Sequence, residues 1–179
     1  MKKVCMVVDN GFEELEAVGT FAILRRAGLN VDVFSCRQTD ATGRFGLTCS
    51  RLNDFTTFNP ASYEALVLPG GPQYQALEAN PNVQNAIKQF LDNGKIVAAI
   101  CASPTILGRA GYLKGKNYTC FTAMNEDFGG HFTGQYATVD GNIITGQSAA
   151  ATIDFAFAIV EKLLGKTEVD KIKKNIYYK

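Results

Sequence analysis

Hydrophobic and polar positions alternate along this chain in blocks that change period from strand-like to helix-like. Val4-Cys5-Met6-Val7-Val8 is an unbroken apolar run closed by Asp9-Asn10-Gly11, the pattern of a parallel strand covered on both faces. From Glu13 to Arg26, Leu15, Val18, Gly19 and Ala22 recur at helical spacing, with three glutamates first, Arg25-Arg26 last and Gly28 just beyond. Acids at the start and bases at the end complement the helix dipole, and the glycine stops the helix. Leu15 is expected at the centre of its buried face. Residues 30–35 then alternate polar and apolar positions, so strand, helix and strand form a βαβ unit, right-handed by the twist of the strands.

The same alternation continues. Residues 37–61 are rich in Thr, Asn, Gly and Asp with little periodicity, and 46–49 and 55–58 are candidate short edge strands. Residues 63–68 predict a strand that runs into Pro69-Gly70-Gly71-Pro72, where neither helix nor strand can continue and a ligand-facing turn is expected. A helix over 82–91 stops at Asn93-Gly94, and 95–100 enters the sheet again. Cys101 opens a sharp turn into a short helix with Pro104 in its first turn. Residues 118–121 read as a strand and 128–132 as a loop, while Asp140-Gly141-Asn142 joins the two arms of a tight hairpin. Helices over 149–164 and 167–174 close the chain. No repeat, linker or low-complexity tract divides it, so residues 1–179 predict a single α/β domain. Its expected architecture is flavodoxin-like and doubly wound, a mostly parallel sheet with helices on both faces.

Charge and composition remove several classes of function. Eighteen Lys and Arg against seventeen Asp and Glu give a net charge of +1, which supplies no bulk attraction to nucleic acid or anionic lipid. No apolar run approaches the roughly 18 residues of a membrane span, and the first apolar run is too short for a signal-peptide core. A cytoplasmic protein whose mature form is this chain is expected, with neither nucleic acid nor membrane as partner. The five cysteines (Cys5, Cys36, Cys49, Cys101 and Cys120) are widely spaced, without a C-x-x-C pair and with one histidine in the chain. A zinc site or disulfide framework is therefore not expected, nor is a metal or other cofactor. Cys5, Cys36, Cys49 and Cys120 read as buried free thiols that behave as small hydrophobes.

Cys101 differs. In open α/β sheets ligands bind beyond the carboxyl ends of the strands, and of the loops expected there (9–12, 69–72 and 101–103) only the last presents a nucleophile. Cys101 stands alone between an apolar strand and a helix, flanked by Ala98, Ala99, Ala102 and Ser103, whose small side chains let such a reversal close. A non-glycine residue there is often held at an unfavourable backbone angle. Free N–H groups at the helix start would pull the thiol below its reference pKa of about 8.5. The N–H of Ala102, with one from Gly70 or Gly71, would receive a developing oxyanion.

Five short blocks in order, Gly11-Phe12-Glu13-Glu14-Leu15-Glu16, Leu24-Arg25-Arg26-Ala27-Gly28, Val67-Leu68-Pro69-Gly70-Gly71, Ala98 to Pro104, and Asp154 to Glu161, resemble the ThiJ/PfpI superfamily. The likeness is nearest to its parkinsonism-associated deglycase branch and bacterial ThiJ-like relatives. It implies a flavodoxin-like sandwich, a homodimer, and an elbow cysteine facing a first-helix glutamate, which by position are Cys101 and Glu16. With Leu15 at the centre of the buried face, Glu16 lies about 100° round the helix, at the buried margin. A carboxyl there would have a raised pKa and could donate to sulfur as the neutral acid. The chain departs from the family where hydrolytic members place a histidine beside the elbow cysteine, since Ala102 stands there and residues 118–122 supply none. His131 reads as a surface residue, and Gln147-Ser148-Ala149-Ala150 replaces an Arg-Gly-Pro-Gly-like turn that would bind anions near the thiol. Three readings follow. The first is a thiol-dependent stress protein, oxidised at Cys101 or acting on small aldehydes and dicarbonyls as a glyoxalase or deglycase; the second is a cysteine amidase or protease. The third is a non-enzymatic redox sensor, chaperone or binding protein.

Overall fold

A computed structural model describes residues 2–179. In chain order the elements are β1 (Lys3–Val8), α1 (Glu14–Arg26), β2 (Asn30–Ser35), β3 (Asp40–Thr42), β4 (Thr48–Ser50), β5 (Asn53–Asp54), β6 (Ala65–Leu68), α2 (Tyr74–Ala79), α3 (Pro81–Asp92) and β7 (Ile96–Ile100). They continue with α4 (Pro104–Arg109), β8 (Asn117–Tyr118), β9 (His131–Phe132), β10 (Ala137–Asp140), β11 (Ile143–Gly146), α5 (Thr152–Leu164) and α6 (Lys166–Asn175). Seven strands form the central sheet in the order β10-β11-β7-β6-β1-β2-β5. All neighbours in it are parallel except β10 and β11, the hairpin around Gly141. This is the expected flavodoxin-like α/β architecture.

The apolar runs of β1, β6 and β7 are buried on both faces because each face carries its own core. Val4, Met6, Val67, Ala98 and Ile100 pack with α1, α5 and α6, while Cys5, Val7, Leu66, Val97 and Ala99 pack with α3 and α4. Alternate residues of one strand thus serve two cores, the pattern of strands sandwiched between helices. Among the described residues no helix is long and apolar enough to cross a membrane.

Several expectations shift. The buried face of α1 is Glu16, Ala17, Thr20, Ile23 and Leu24, whereas Leu15 and Val18 are 56% and 44% exposed. The helix is rotated from its simple apolar pattern because Gly19 sits against Thr152 of α5, and the apolar stripe through Leu15 faces away. Residues 55–57 form a turn of 3-10 helix started by the Asp54 side chain rather than an edge strand. In the aperiodic segment, β3 and β4 pair as a small antiparallel hairpin. The 118–121 strand is reduced to Asn117–Tyr118, which pairs with His131–Phe132 in the expected loop. α2, which the hydrophobic pattern did not announce, fills the link between the 69–72 turn and α3.

Candidate active site

The carboxyl ends of β1, β6 and β7 bring three loops together. Cys101 directly follows β7 with a φ of 64°, a left-handed conformation that costs a non-glycine residue about 1–2 kcal/mol. Its N–H donates to the carbonyl of Gly146 at 2.9 Å and its carbonyl accepts from the N–H of Phe121 at 2.8 Å, so the strained bend is held from both sides. The Ser103 hydroxyl donates to the Pro69 carbonyl at 2.7 Å and ties the elbow to the 69–72 turn. The tight sequence of small residues around Cys101 therefore does form an elbow.

Glu16 reaches this elbow from α1. Glu13 caps the helix, its carboxylate accepting the Glu16 N–H at 2.8 Å, and the helix rotation that exposes Leu15 turns Glu16 fully inward. One carboxyl oxygen, Oε2, accepts the Gly70 N–H at 2.8 Å. The other, Oε1, is buried with no hydrogen-bonding partner of good geometry among the described residues, and the carboxyl interacts with the Cys101 thiol. A buried carboxyl with one orphan oxygen beside a thiol is placed to take or give a proton.

The glycines make this approach possible. A Cβ on Gly70 would lie 2.6 Å from Glu16 Oε2 and 2.7 Å from the Cys101 Cβ. Gly71, at a φ of 88°, would meet the Gly11 carbonyl at 2.4 Å and the Glu13 N–H nitrogen at 2.6 Å. The choice between Gly70 and Gly71 as the second oxyanion donor narrows accordingly. Gly70 N–H is engaged by Glu16, which leaves those of Gly71 and Ala102, both directed at the Cys101 sulfur.

Burial dominates the electrostatics. It pushes the Glu16 carboxyl from its usual range up to about 7, against the smaller downward pulls of Cys101, Gly70 and Arg44. Burial, then the Glu16 carboxylate, also push the Cys101 thiol up, and the N–H groups of Ala102 and Gly71 only partly oppose this. The expectation of a thiol lowered by a helix start is therefore reversed. The physical reason is that α4 begins three residues later at Pro104, so only two N–H groups act on a sulfur that is half-buried beside an acid. The upward push of Glu16 operates while it is ionised, and disappears when it holds its proton.

Linkage gives this a measurable sign. The Glu16 carboxyl rises from about 4.5 unfolded to about 7 folded, so its contribution to stability is fully present below pH 4.5 and is lost as pH rises through 7. Thermal denaturation of the wild type should therefore lose stability between pH 5 and 7 relative to Glu16→Gln, in which that titration is absent. Parallel curves for the two proteins would show that Glu16 is not protonated by the fold.

The pocket above the sulfur, about 330 Å³, is lined by Arg44, Gly71, Pro72, Tyr74, Gln75, Ala102, Phe121 and Met124 as well as Cys101. Three contributions had no clear signal in the sequence. Arg44 lies in the aperiodic segment, and Phe121 and Met124 follow a two-residue strand. Gln73, 1% exposed, braces the floor: its side-chain carbonyl accepts the Asp9 N–H at 2.6 Å and its amide donates to the Pro69 carbonyl at 2.7 Å. A glutamine beside Gly-Gly-Pro reads as a surface turn residue, and only the convergence of β1 and β6 buries it. His131 is exposed on β9 and does not line this pocket. Cys120 is buried, as expected, in the opposite core with its sulfur toward the Phe121 carbonyl and Asn125. Burial pushes it up to about 11 and Cys36 up to about 12, although Cys36 and Cys49, expected in the interior, are only half-buried. Among the described residues no group of three or more His, Cys, Asp and Glu side chains is placed to hold a metal ion.

Comparison with known proteins finds relatives over most of the chain. The model of the DJ-1/PfpI family matches residues 2–162. A deglycase of Thermococcus kodakarensis is 32% identical over 146 residues, 80% of this chain and 88% of that protein. Protein DJ-1 homolog A of Arabidopsis thaliana is 29% identical over 96% of this chain, which spans 45% of that longer protein. The crystal structure of a DJ-1 superfamily protein from Salmonella typhimurium superposes with a TM-score of 0.91 at 31% identity, covering the whole of both chains.

Proposed function

Since the chain belongs to the DJ-1/PfpI family, we propose that it is a thiol-dependent enzyme acting on reactive dicarbonyls, with Cys101 as nucleophile and Glu16 as the acid and base. The observation that carries this reading is the buried Glu16 carboxyl, with one oxygen unpartnered, against the thiol of a strained elbow. The deglycase name of a relative at 32% identity supports the substrate class. A carboxyl at about 7 is half ionised at neutral pH, the range in which one group can both accept and return a proton efficiently. A resting thiolate is then unnecessary.

For methylglyoxal the sequence balances without cofactor. The Cys101 sulfur bonds to the aldehyde carbon while the thiol proton passes to Glu16, and the former aldehyde oxygen, received by the N–H groups of Gly71 and Ala102, is protonated to give a hemithioacetal. Glu16 carries the proton of that carbon to the neighbouring ketone carbon while the hemithioacetal hydroxyl proton passes to the ketone oxygen, so the first carbon is oxidised to a thioester and the second reduced to an alcohol. Water cleaves the thioester to lactate and restores the thiol. The net change is addition of one water. Protein incubated with methylglyoxal should produce lactate in proportion to enzyme concentration. Lactate no faster than in buffer, or hydrolysis of peptide or glutamine amide bonds instead, would overturn the reading.

We also propose that two copies pair through the exposed apolar face of α1 and the β3–β4 turn, where Leu15, Val18, Phe45 and Leu47 stand 44–74% exposed. An apolar patch of this kind on a monomer is unusual. Sedimentation should give twice the chain mass at micromolar concentration, with Leu47→Asp shifted toward the single chain. A wild type that sediments as one chain would dismiss the pairing.

A further inference from the structure

Arg44 is the one ionised side chain in the lining of the Cys101 pocket among the described residues, between apolar walls of Pro72, Tyr74, Phe121 and Met124. Seven salt bridges occur among the described residues, and none involves it. Among the described residues its guanidinium has no side-chain hydrogen-bond partner either; it rests 4.9 Å from the centre of the Phe45 ring and pulls the Glu16 carboxyl downward from across the pocket. An arginine presents five donors in a rigid fork that matches a carboxylate. This fork is left unused beside the reacting sulfur.

The backbone of the turn that carries Arg44 is held in place, so the exposed arginine side chain extends from a fixed point at the pocket rim. The Arg44 N–H donates to the Phe12 carbonyl at 2.9 Å, that of Gly11 to the Thr42 carbonyl at 2.7 Å, and that of Gly43 to the Leu47 carbonyl at 2.8 Å. The Glu14 carboxylate accepts the Phe45 N–H at 2.7 Å, fastening the turn to the first turn of α1, one residue from Glu13 and two from Glu16. The loss of the arginine turn before α5, noted in the sequence, is thus met from the opposite rim of the pocket.

We propose that Arg44 selects carbonyl substrates that also bear a carboxylate, pairing with that group while the carbonyl carbon is presented to the Cys101 sulfur. Arg44 is a specificity-determining residue, distinct from the proton-transfer pair. The inference rests on the proposed function for its account of the reacting atom, but its test does not need turnover.

The experiment compares alkylation of Cys101 by iodoacetate and iodoacetamide, which share a leaving group and differ by a carboxylate. The ratio of the two rates at low ionic strength should fall roughly 5- to 10-fold in Arg44→Gln and less in Arg44→Lys, and the wild-type ratio should fall with added salt as the charge is screened. A change of both rates together, with the ratio unmoved, means that Arg44 acts on the thiol and not on the reagent, and overturns the proposal. With catalysis present, 4,5-dioxopentanoate and methylglyoxal, two ketoaldehydes that differ in a carboxylate, should separate likewise, Arg44→Gln raising KM for the carboxylate-bearing one about 10-fold relative to the neutral one. A wild type without dicarbonyl turnover whose alkylation ratio still depends on Arg44 removes the proposed function and leaves the anion selection standing.

Discussion

Cys101→Ser is expected to lower methylglyoxal conversion by roughly 10³-fold or more, the scale on which removal of a covalent nucleophile acts. The substitution keeps the size of the side chain and the backbone ties of the elbow to Gly146 and Phe121, so the loss should occur in a folded protein with an unchanged far-ultraviolet spectrum. A serine hydroxyl remains protonated where a thiol can still yield its proton to a carboxyl near 7, and it cannot form the thioester that carries the oxidised carbon. Glu16→Gln should lose a comparable amount, since the amide fills the same space and can donate but cannot accept the thiol proton. The pair acts as a unit, so the double variant should be little worse than either single one. Initial rates of lactate formation measure all three, and more than about a tenth of wild-type activity in Cys101→Ser would take the sulfur out of the mechanism.

Gly71→Ala should be among the most destabilising single substitutions in the chain, by roughly 3 kcal/mol or more, from backbone strain combined with overpacking. At Gly71 the new methyl would meet backbone atoms of Gly11 and Glu13, which cannot yield without moving the loop after β1 and the start of α1. Gly28→Ala is the control. Its φ of 75° is equally left-handed, yet a Cβ there has nothing within 4 Å, so it carries only the conformational cost of about 1–2 kcal/mol. Urea denaturation of the two variants separates packing from backbone strain. Equal midpoints would mean that the loops beneath Cys101 are not interlocked at Gly71. If Gly71→Ala is too unstable to purify, the midpoint of Gly70→Ala, whose Cβ would be 2.7 Å from that of Cys101, reads the packing of the same turn against the elbow instead.

The parts of the fold legible in the sequence are those whose signal is local. Apolar runs at 4–8 and 96–100 belong to strands buried on both faces, and the glycine at 141 marks the hairpin that adds an antiparallel strand to the edge of the central sheet. The elbow was readable for the same reason, since a tight reversal tolerates only small neighbours around Cys101. Where the local pattern pointed the other way, packing prevailed. Leu15 and Val18 continue the apolar spacing of α1, but Gly19 lets α5 approach at Thr152, and that contact sets a rotation which buries a carboxylic acid and exposes a leucine.

From the order of its residues alone, the chain determined a parallel α/β sheet and put one cysteine on the bend after the strand over residues 96–100, because strand period, helix dipole and turn chemistry act between near neighbours. Tertiary structure decided what that cysteine experiences: Glu16 fully buried against it, Gly70 engaged by the acid, Gln73 bracing two strand ends, and Arg44 brought over the pocket from a segment with no periodicity. These depend on desolvation and on contacts between residues far apart in sequence, 54 positions for Gly70 and Glu16 and 64 for Gln73 and Asp9. Burial raises an acid or a thiol according to what surrounds it, so the sign of the thiol's shift could be read only once the loops had met.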